Sequence, residues 1–171
     1  LSDLSPSILA ISYFFHLIAT IVWIGGLVIL TIMVLPEARR VLGKNPEFYT
    51  LMSRLRRRFT PLTNLSLVVL VVTGLIQMAG DVNYDGMLQF TNEWARVILY
   101  KHIAIFGMVI CGLGLQYWVS PALERATLLA EHHKGDPDEL DRLRRRESRL
   151  TWVNLVLGVL VLGFTAWATA I

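Results

Sequence analysis

Four long apolar stretches, three of them without a charged side chain, constrain this chain more than any other feature. Ile8–Leu35 has none in 28 residues, Pro61–Gly80 none in 20 and Leu150–Ile171 none in 22, while Trp94–Ser120 is apolar apart from Arg96, Lys101 and His102 near its start. At 1.5 Å per helical residue, each run is long enough to cross about 30 Å of hydrocarbon. Only 17% of residues are charged, against about 25% in an average soluble domain, so a water-facing globule would lack polar cover. The reading is an all-α integral membrane antiparallel four-helix bundle, one domain over residues 1–171, with spans near 8–35, 61–80, 94–120 and 150–171. A lone cysteine, Cys111, excludes a disulfide-stapled module.

The connections set an orientation. Seven basic residues (Arg39, Arg40, Lys44, Arg54, Arg56, Arg57 and Arg58) separate the first two spans, and seven more (Arg125, Lys134, Arg142, Arg144, Arg145, Arg146 and Arg149) separate the last two. The N-terminal segment and the Asp81–Glu93 loop have none, carrying Asp3, Asp81, Asp85 and Glu93 instead. The positive-inside rule puts both basic loops in the cytoplasm and both termini outside, in a bacterial-type inner (plasma) membrane. The net charge of +3 is then an orientation signal, and no nucleic-acid partner is expected. The first run lacks a preceding basic residue and is too long for a signal peptide, so it reads as an uncleaved span.

Local signals place the helix ends. Ser5-Pro6 reads as a helix start. Asn45-Pro46-Glu47 opens a short helix of roughly 46–59 at the cytoplasmic surface, its arginines meeting anionic lipid headgroups, before Thr60-Pro61 begins the second span. Pro36 falls in a continuation or kink of the first helix. The third helix is expected to overrun the membrane to about His133 with Gly135 as its stop, and Asp136-Pro137-Asp138-Glu139 restarts the chain. These are the cytoplasmic helical extensions.

Ionisable groups inside a bilayer are costly and mark candidate sites. Here they are His16, Arg96, Lys101 and His102. The first and third spans run in the same direction, His16 lies about eight residues into one, and His102 lies eight residues after Trp94. Both imidazoles therefore sit at one level, about 10 Å below the outer surface. Two histidines at one depth on two helices suit the axial ligands of one haem b per chain. Gly74 and Gly163 reach the same depth on the second and fourth spans and would leave room for a macrocycle, although glycines also serve ordinary helix packing. Arg96, one and a half turns outward of His102, suits a haem propionate or a snorkelling interface arginine. Lys101 points about 100° from His102 and would snorkel, pair with a propionate, or replace His102 on the iron. Trp23, two turns below His16 on the same face, would wall the pocket, whereas Trp94, Trp118, Trp152 and Trp167 read as an interfacial belt.

The remaining candidates read as structural. Cys111 lies among glycines as a small packing residue. Met33, Met78, Met87 and Met108 show no paired spacing for a copper path. His132-His133 reads as a solvated helix end, since adjacent helical residues face different ways.

The first span reads Phe15-His16-Leu17-Ile18-Ala19-Thr20-Ile21-Val22-Trp23-Ile24-Gly25-Gly26. It resembles the opening helix of the copper resistance protein D (CopD) family, in which a leading His is followed seven residues later by Trp-x-Gly-Gly. Arg96-Val97-Ile98-Leu99-Tyr100-Lys101-His102 is similar to that family's third-helix start. The wider group includes HemJ-type protoporphyrinogen oxidases, four-helix proteins that bind haem b through a first-helix His and a later Lys, which the resemblance maps onto His16 and Lys101. This chain also has His102 directly after that lysine. The leading expectation is a b-type cytochrome in electron transfer, with a HemJ-like oxidase and a copper transport or resistance permease as alternatives. The inner half of the bundle has no histidine, so a single haem in the outer leaflet would exchange electrons with an outer-surface redox partner such as a periplasmic carrier, a quinone or superoxide. The lipid bilayer is the obligate partner, and glycine-bearing faces allow a homodimer without selecting a surface.

Overall fold

The computed structural model describes residues 5–43, 45–81, 92–131 and 135–171. Four helices account for nearly all of them, and no strand occurs among the described residues. α1 spans Pro6–Leu42, with π-helical stretches at Ile21–Gly25 and Ile29–Val34. α2 is Pro46–Ala79. α3 runs from Glu93–Gly114 through a π turn, Leu115–Val119, into Ser120–Glu131, and α4 is Pro137–Ala168. All four are long and apolar enough to cross a membrane.

Side chains cap helix starts at Ser5 and Asp136, where the sequence signals them, and at Asn92, whereas Asn45 makes no side-chain cap hydrogen bond. Ser5 accepts the Ile8 amide at 3.4 Å, Asn92 Oδ1 the Ala95 amide at 2.7 Å and Asp136 Oδ1 the Asp138 amide at 2.9 Å. Each satisfies a helix-start donor that has no partner within the helix. Pro6 and Pro137 occupy first-turn positions where a missing N–H costs nothing. Gly43 ends α1 at φ +57°, a conformation that favours glycine. Gly135 folds back on the end of α3, where a Cβ would stand 2.7 Å from the Ala130 amide nitrogen. His132 and His133 lie outside the described residues.

The short surface helix expected at 46–59 is instead the first half of one unbroken helix, with Pro61 inside it. Proline normally loosens the preceding turn. Here the helix continues through the proline, and the Thr63 hydroxyl donates to the Thr60 and Phe59 carbonyls at 2.8 and 3.2 Å. The arginine-bearing half belongs to the bundle as well. Phe48 is buried, Ser53 donates to Glu124 on α3, and Arg56 pairs with Glu147 on α4. At Pro36 the preceding π stretch widens the turn, and the helix continues to Leu42.

The helices form two intimate pairs. In α1–α2, Ser12 and His16 meet Thr73 while Gly26 meets Phe59, so the numbering falls along α2 as it rises along α1. In α3–α4 the partners are Tyr100 with Phe164, Gly107 with Leu157, and Leu123 and Ala126 with Leu140. The pairs meet where Ile24, Met108 and Gly158 converge, and again toward the basic connections. That half of the molecule is termed the basic end, and the other half the terminal end.

Polarity is distributed as a bilayer requires. Phe106 is 67% exposed and Leu65 63%, whereas Ser12, Thr31, Ser66, Thr73 and Asn154 are buried. Apolar side chains cost nothing against lipid, and Ser12 and Thr73 find partners across the α1–α2 contact.

The Arg56–Glu147 pair yields a first expectation. Its side chains are 28% and 23% exposed, intermediate between surface and buried ion pairs. Glu147→Gln should destabilise by about 1–2 kcal/mol, and exchanging the two residues should recover most of the loss. Heat denaturation in detergent across the double-mutant cycle measures the coupling, and strictly additive losses would refute it.

Candidate functional site

His16 lies on the α1 face that meets α2. Its Nδ1 is 2.8 Å from Thr73 Oγ1. The same Thr73 oxygen lies 2.6 Å from the Val69 carbonyl, to which it donates. With that proton committed, Thr73 Oγ1 accepts from His16, which assigns the proton to Nδ1 and leaves the Nε2 lone pair unused. Thr20 donates to the His16 carbonyl at 2.8 Å, Ser12 donates to the Thr73 carbonyl at 3.1 Å, and the Gln77 amide reaches Ser12 at 3.5 Å. The imidazole is thus held by a ladder of small polar groups across the helix pair.

Gly74 stands directly beside the ring: a Cβ there would meet His16 Cε1 at 3.7 Å. The depth match made on sequence between His16 and the second span therefore holds at the level of atoms. Lys101 is half-buried on α3. His102 is exposed, with Nδ1 turned back onto the Ile98 carbonyl of its own helix at 2.8 Å. The structure thus brings His16, Thr73 and Gly74 together, while Lys101 and the exposed His102 ring belong to α3.

The other expected members are dispersed. Arg96 is exposed near the start of α3. Gly163 is exposed, and a Cβ there would meet nothing within 4 Å, so it offers open space without touching His16. Trp23 packs on the cluster of Ala104, Met108 and Val161 instead of continuing the His16 face. The π turn that begins at Ile21 explains the departure, because i→i+5 bonding advances each residue through a smaller angle than an α-helix does.

Sequence reasoning passed over Thr73, Ser12 and Gln77. The signal was there in two i,i+4 polar pairs, Ser12/His16 and Thr73/Gln77, which place each pair on one helix face. Among the described residues, no group of three or more His, Cys, Asp or Glu side chains is arranged to hold a metal ion.

The family described as Copper resistance protein D matches residues 53–168, which takes in most of α2 and all of α3 and α4 and begins after His16. Comparison with curated proteins and with solved structures finds no match in either.

Proposed function

The chain belongs to the copper resistance protein D family, and from that premise we propose that this multi-pass membrane protein binds one haem b at His16 and serves electron transfer. The observation that carries the reading is the Thr73–His16 hydrogen bond, which leaves Nε2 free as an axial donor. Metal-binding histidines characteristically give their other N–H to a fixed acceptor. Gly74 leaves the space beside the ring that a flat macrocycle needs.

Lys101 would hold the group from the other side in this reading, in line with the HemJ-type pattern. His102 gives its Nδ1–H to the Ile98 carbonyl and, like His16, keeps Nε2 unused, so it is the alternative second ligand. Arg96, exposed at the terminal end, is placed to pair with a carboxylate of the bound group. When bound, haem supplies reversible one-electron exchange. The protein's own part is to fix the His16 tautomer, exclude lipid from the ring through the α1–α2 contact, and hold the site at the terminal end. The Lys and Arg counts favour cytoplasmic basic loops, which puts the site in the outer leaflet and its electron partner, a quinone or a periplasmic carrier, outside.

The family match favours a second reading in which the site handles copper. Purified protein from haem-sufficient cells separates the two. A reduced-minus-oxidised spectrum with an α-band and one haem per chain is expected. Stoichiometric copper in a colourless protein would establish the second reading, and two haems per chain would overturn the single outer site.

Thr73 supplies a sharper expectation. Thr73→Val removes the acceptor of the Nδ1 proton at nearly constant volume, so haem affinity should fall about 10- to 100-fold. Thr73→Ser should retain it. Titration of apoprotein with haem measures both, and an unchanged affinity in the valine variant would show that Thr73 does not position the ligand.

A further inference from the structure

Between the two helix pairs, the basic half of the bundle holds a half-open cleft of about 1120 Å³. Trp23 and Met108 stand at its inner end and Arg39 at its outer end. Along α1, positions 23 and 39 are separated by about 24 Å at 1.5 Å per residue, close to one leaflet of a bilayer about 40–45 Å thick across its headgroups. Pockets for small molecules enclose about 300–1,000 Å³, so this cleft has room for a larger ligand. The His16 site lies beyond its inner end.

The lining changes character along this length. Its wall is mostly apolar, with Leu27, Leu30, Phe59, Leu67 and Val109 among the side chains that form it. Gly112 lies on the same wall, and a Cβ there would meet nothing within 4 Å, so the α3 backbone borders open space. Toward the basic end, six arginines line the cleft against two acids, Glu124 and Glu147. Glu147 pairs with Arg56, and Glu124 accepts from Ser53. Arg39, Arg54, Arg57 and Arg145 are exposed, and among the described residues none of the four has an acidic partner. Hydrocarbon satisfies an apolar wall of this kind better than water does, and phosphate is the natural partner of an unpaired guanidinium.

We propose that one anionic phospholipid from the leaflet at the basic end seats in this cleft, with its phosphate on the unpaired arginines and an acyl chain along the apolar wall toward Trp23 and Met108. Charge complementarity selects the headgroup, because the lining carries an excess of arginine over acid and a guanidinium grips phosphate with two parallel hydrogen bonds. Basic pockets between membrane helices hold anionic headgroups in this way. The apolar wall selects a lipid over a free oxyanion, which would leave the inner part of the cleft unfilled. The lipid site does not rest on the haem reading.

Two sets of arginines on the same helices provide the test. Delipidated protein in detergent is titrated with dioleoylphosphatidylglycerol or with zwitterionic dioleoylphosphatidylcholine, and bound lipid is counted by native mass spectrometry. One phosphatidylglycerol per chain is expected, held about tenfold tighter than phosphatidylcholine. Arg54→Gln with Arg57→Gln and Arg145→Gln should erase that preference. Arg58→Gln with Arg142→Gln and Arg146→Gln should keep it, because those exposed arginines lie outside the cleft. Gly112→Phe puts a ring into the open space while every arginine stays, and it should lower phosphatidylglycerol affinity about tenfold. Val109→Trp narrows the same cleft should the phenylalanine variant fail to fold. Equal affinity for the two lipids would overturn the headgroup site. Equal losses in the two arginine triples would overturn its location in the cleft. Unchanged binding in the cleft-filling variants would overturn the acyl-chain path, and displacement by equimolar inorganic phosphate would reveal a bare oxyanion site in place of a lipid site.

Discussion

Alanine at position 16 is expected to strip the protein of its haem while leaving it folded. The side chain is only partly buried, and its loss opens a polar gap beside Gly74 without removing an apolar contact. Haem content should drop below a tenth of wild type, and thermal stability measured without haem should change by less than about 1 kcal/mol. The second ligand is decided by the same assay. Lys101→Met should abolish the wild-type spectrum and His102→Ala should preserve it if the HemJ-type pattern supplies the second ligand. The reverse pattern would restore the bis-histidine arrangement that depth matching suggests. A full haem complement in His16→Ala would remove the site altogether.

The largest effect on folding is expected at Gly158. A Cβ there would lie 3.4 Å from Met108 Cε and 3.8 Å from Ile24 Cγ2, at the point where α1, α3 and α4 converge. Gly158→Ala adds only that carbon and should be tolerated. Gly158→Leu drives three more carbons into a filled space, and overpacking of this kind costs about 1–3 kcal/mol or more. Lipid offers no hydrophobic gain to offset the loss, since close packing is what associates helices in a bilayer. The leucine variant should unfold well below wild type in detergent, and Met108→Ala in that background should recover part of the loss. Gly163→Leu is the contrast, with open space around it and an expected change within about 0.5 kcal/mol. Equal behaviour of the two leucine variants would contradict the packing at Gly158.

Axial position was legible in the sequence and azimuth was not. Counting at 1.5 Å per residue put Gly74 level with His16, and the two are in contact. The same count put His102 and Gly163 at that level, yet His102 turns onto its own helix and Gly163 faces open space. Depth depends on a rise shared by every helix, whereas azimuth depends on how each helix is rotated against its neighbours. The π stretches compound this by shifting the face of everything beyond Thr20, so Trp23 leaves the His16 side. Pro61 misled for a different reason, because Ser53 and Arg56, which tie the preceding half of the helix into the bundle, find their partners far along the chain on α3 and α4. The cap residues Ser5, Asn92 and Asp136 behaved as local chemistry dictates, their partners being only two or three residues away.

The two-pair architecture also bears on how the chain assembles. Each pair joins helices that follow one another in sequence, so most contacts in α1–α2 form without waiting for α3 or α4 to be synthesised. Loop closure over so short a chain length is entropically cheap. Each helical hairpin can therefore enter the bilayer as a unit during translation, with its internal polar groups already matched. The late step is lateral docking of one hairpin on the other, directed by the Ile24–Met108–Gly158 contact and locked by Arg56 and Glu147. That order leaves the His16–Thr73 ladder complete before the second hairpin arrives, so the first hairpin carries its imidazole ready-oriented into the finished bundle.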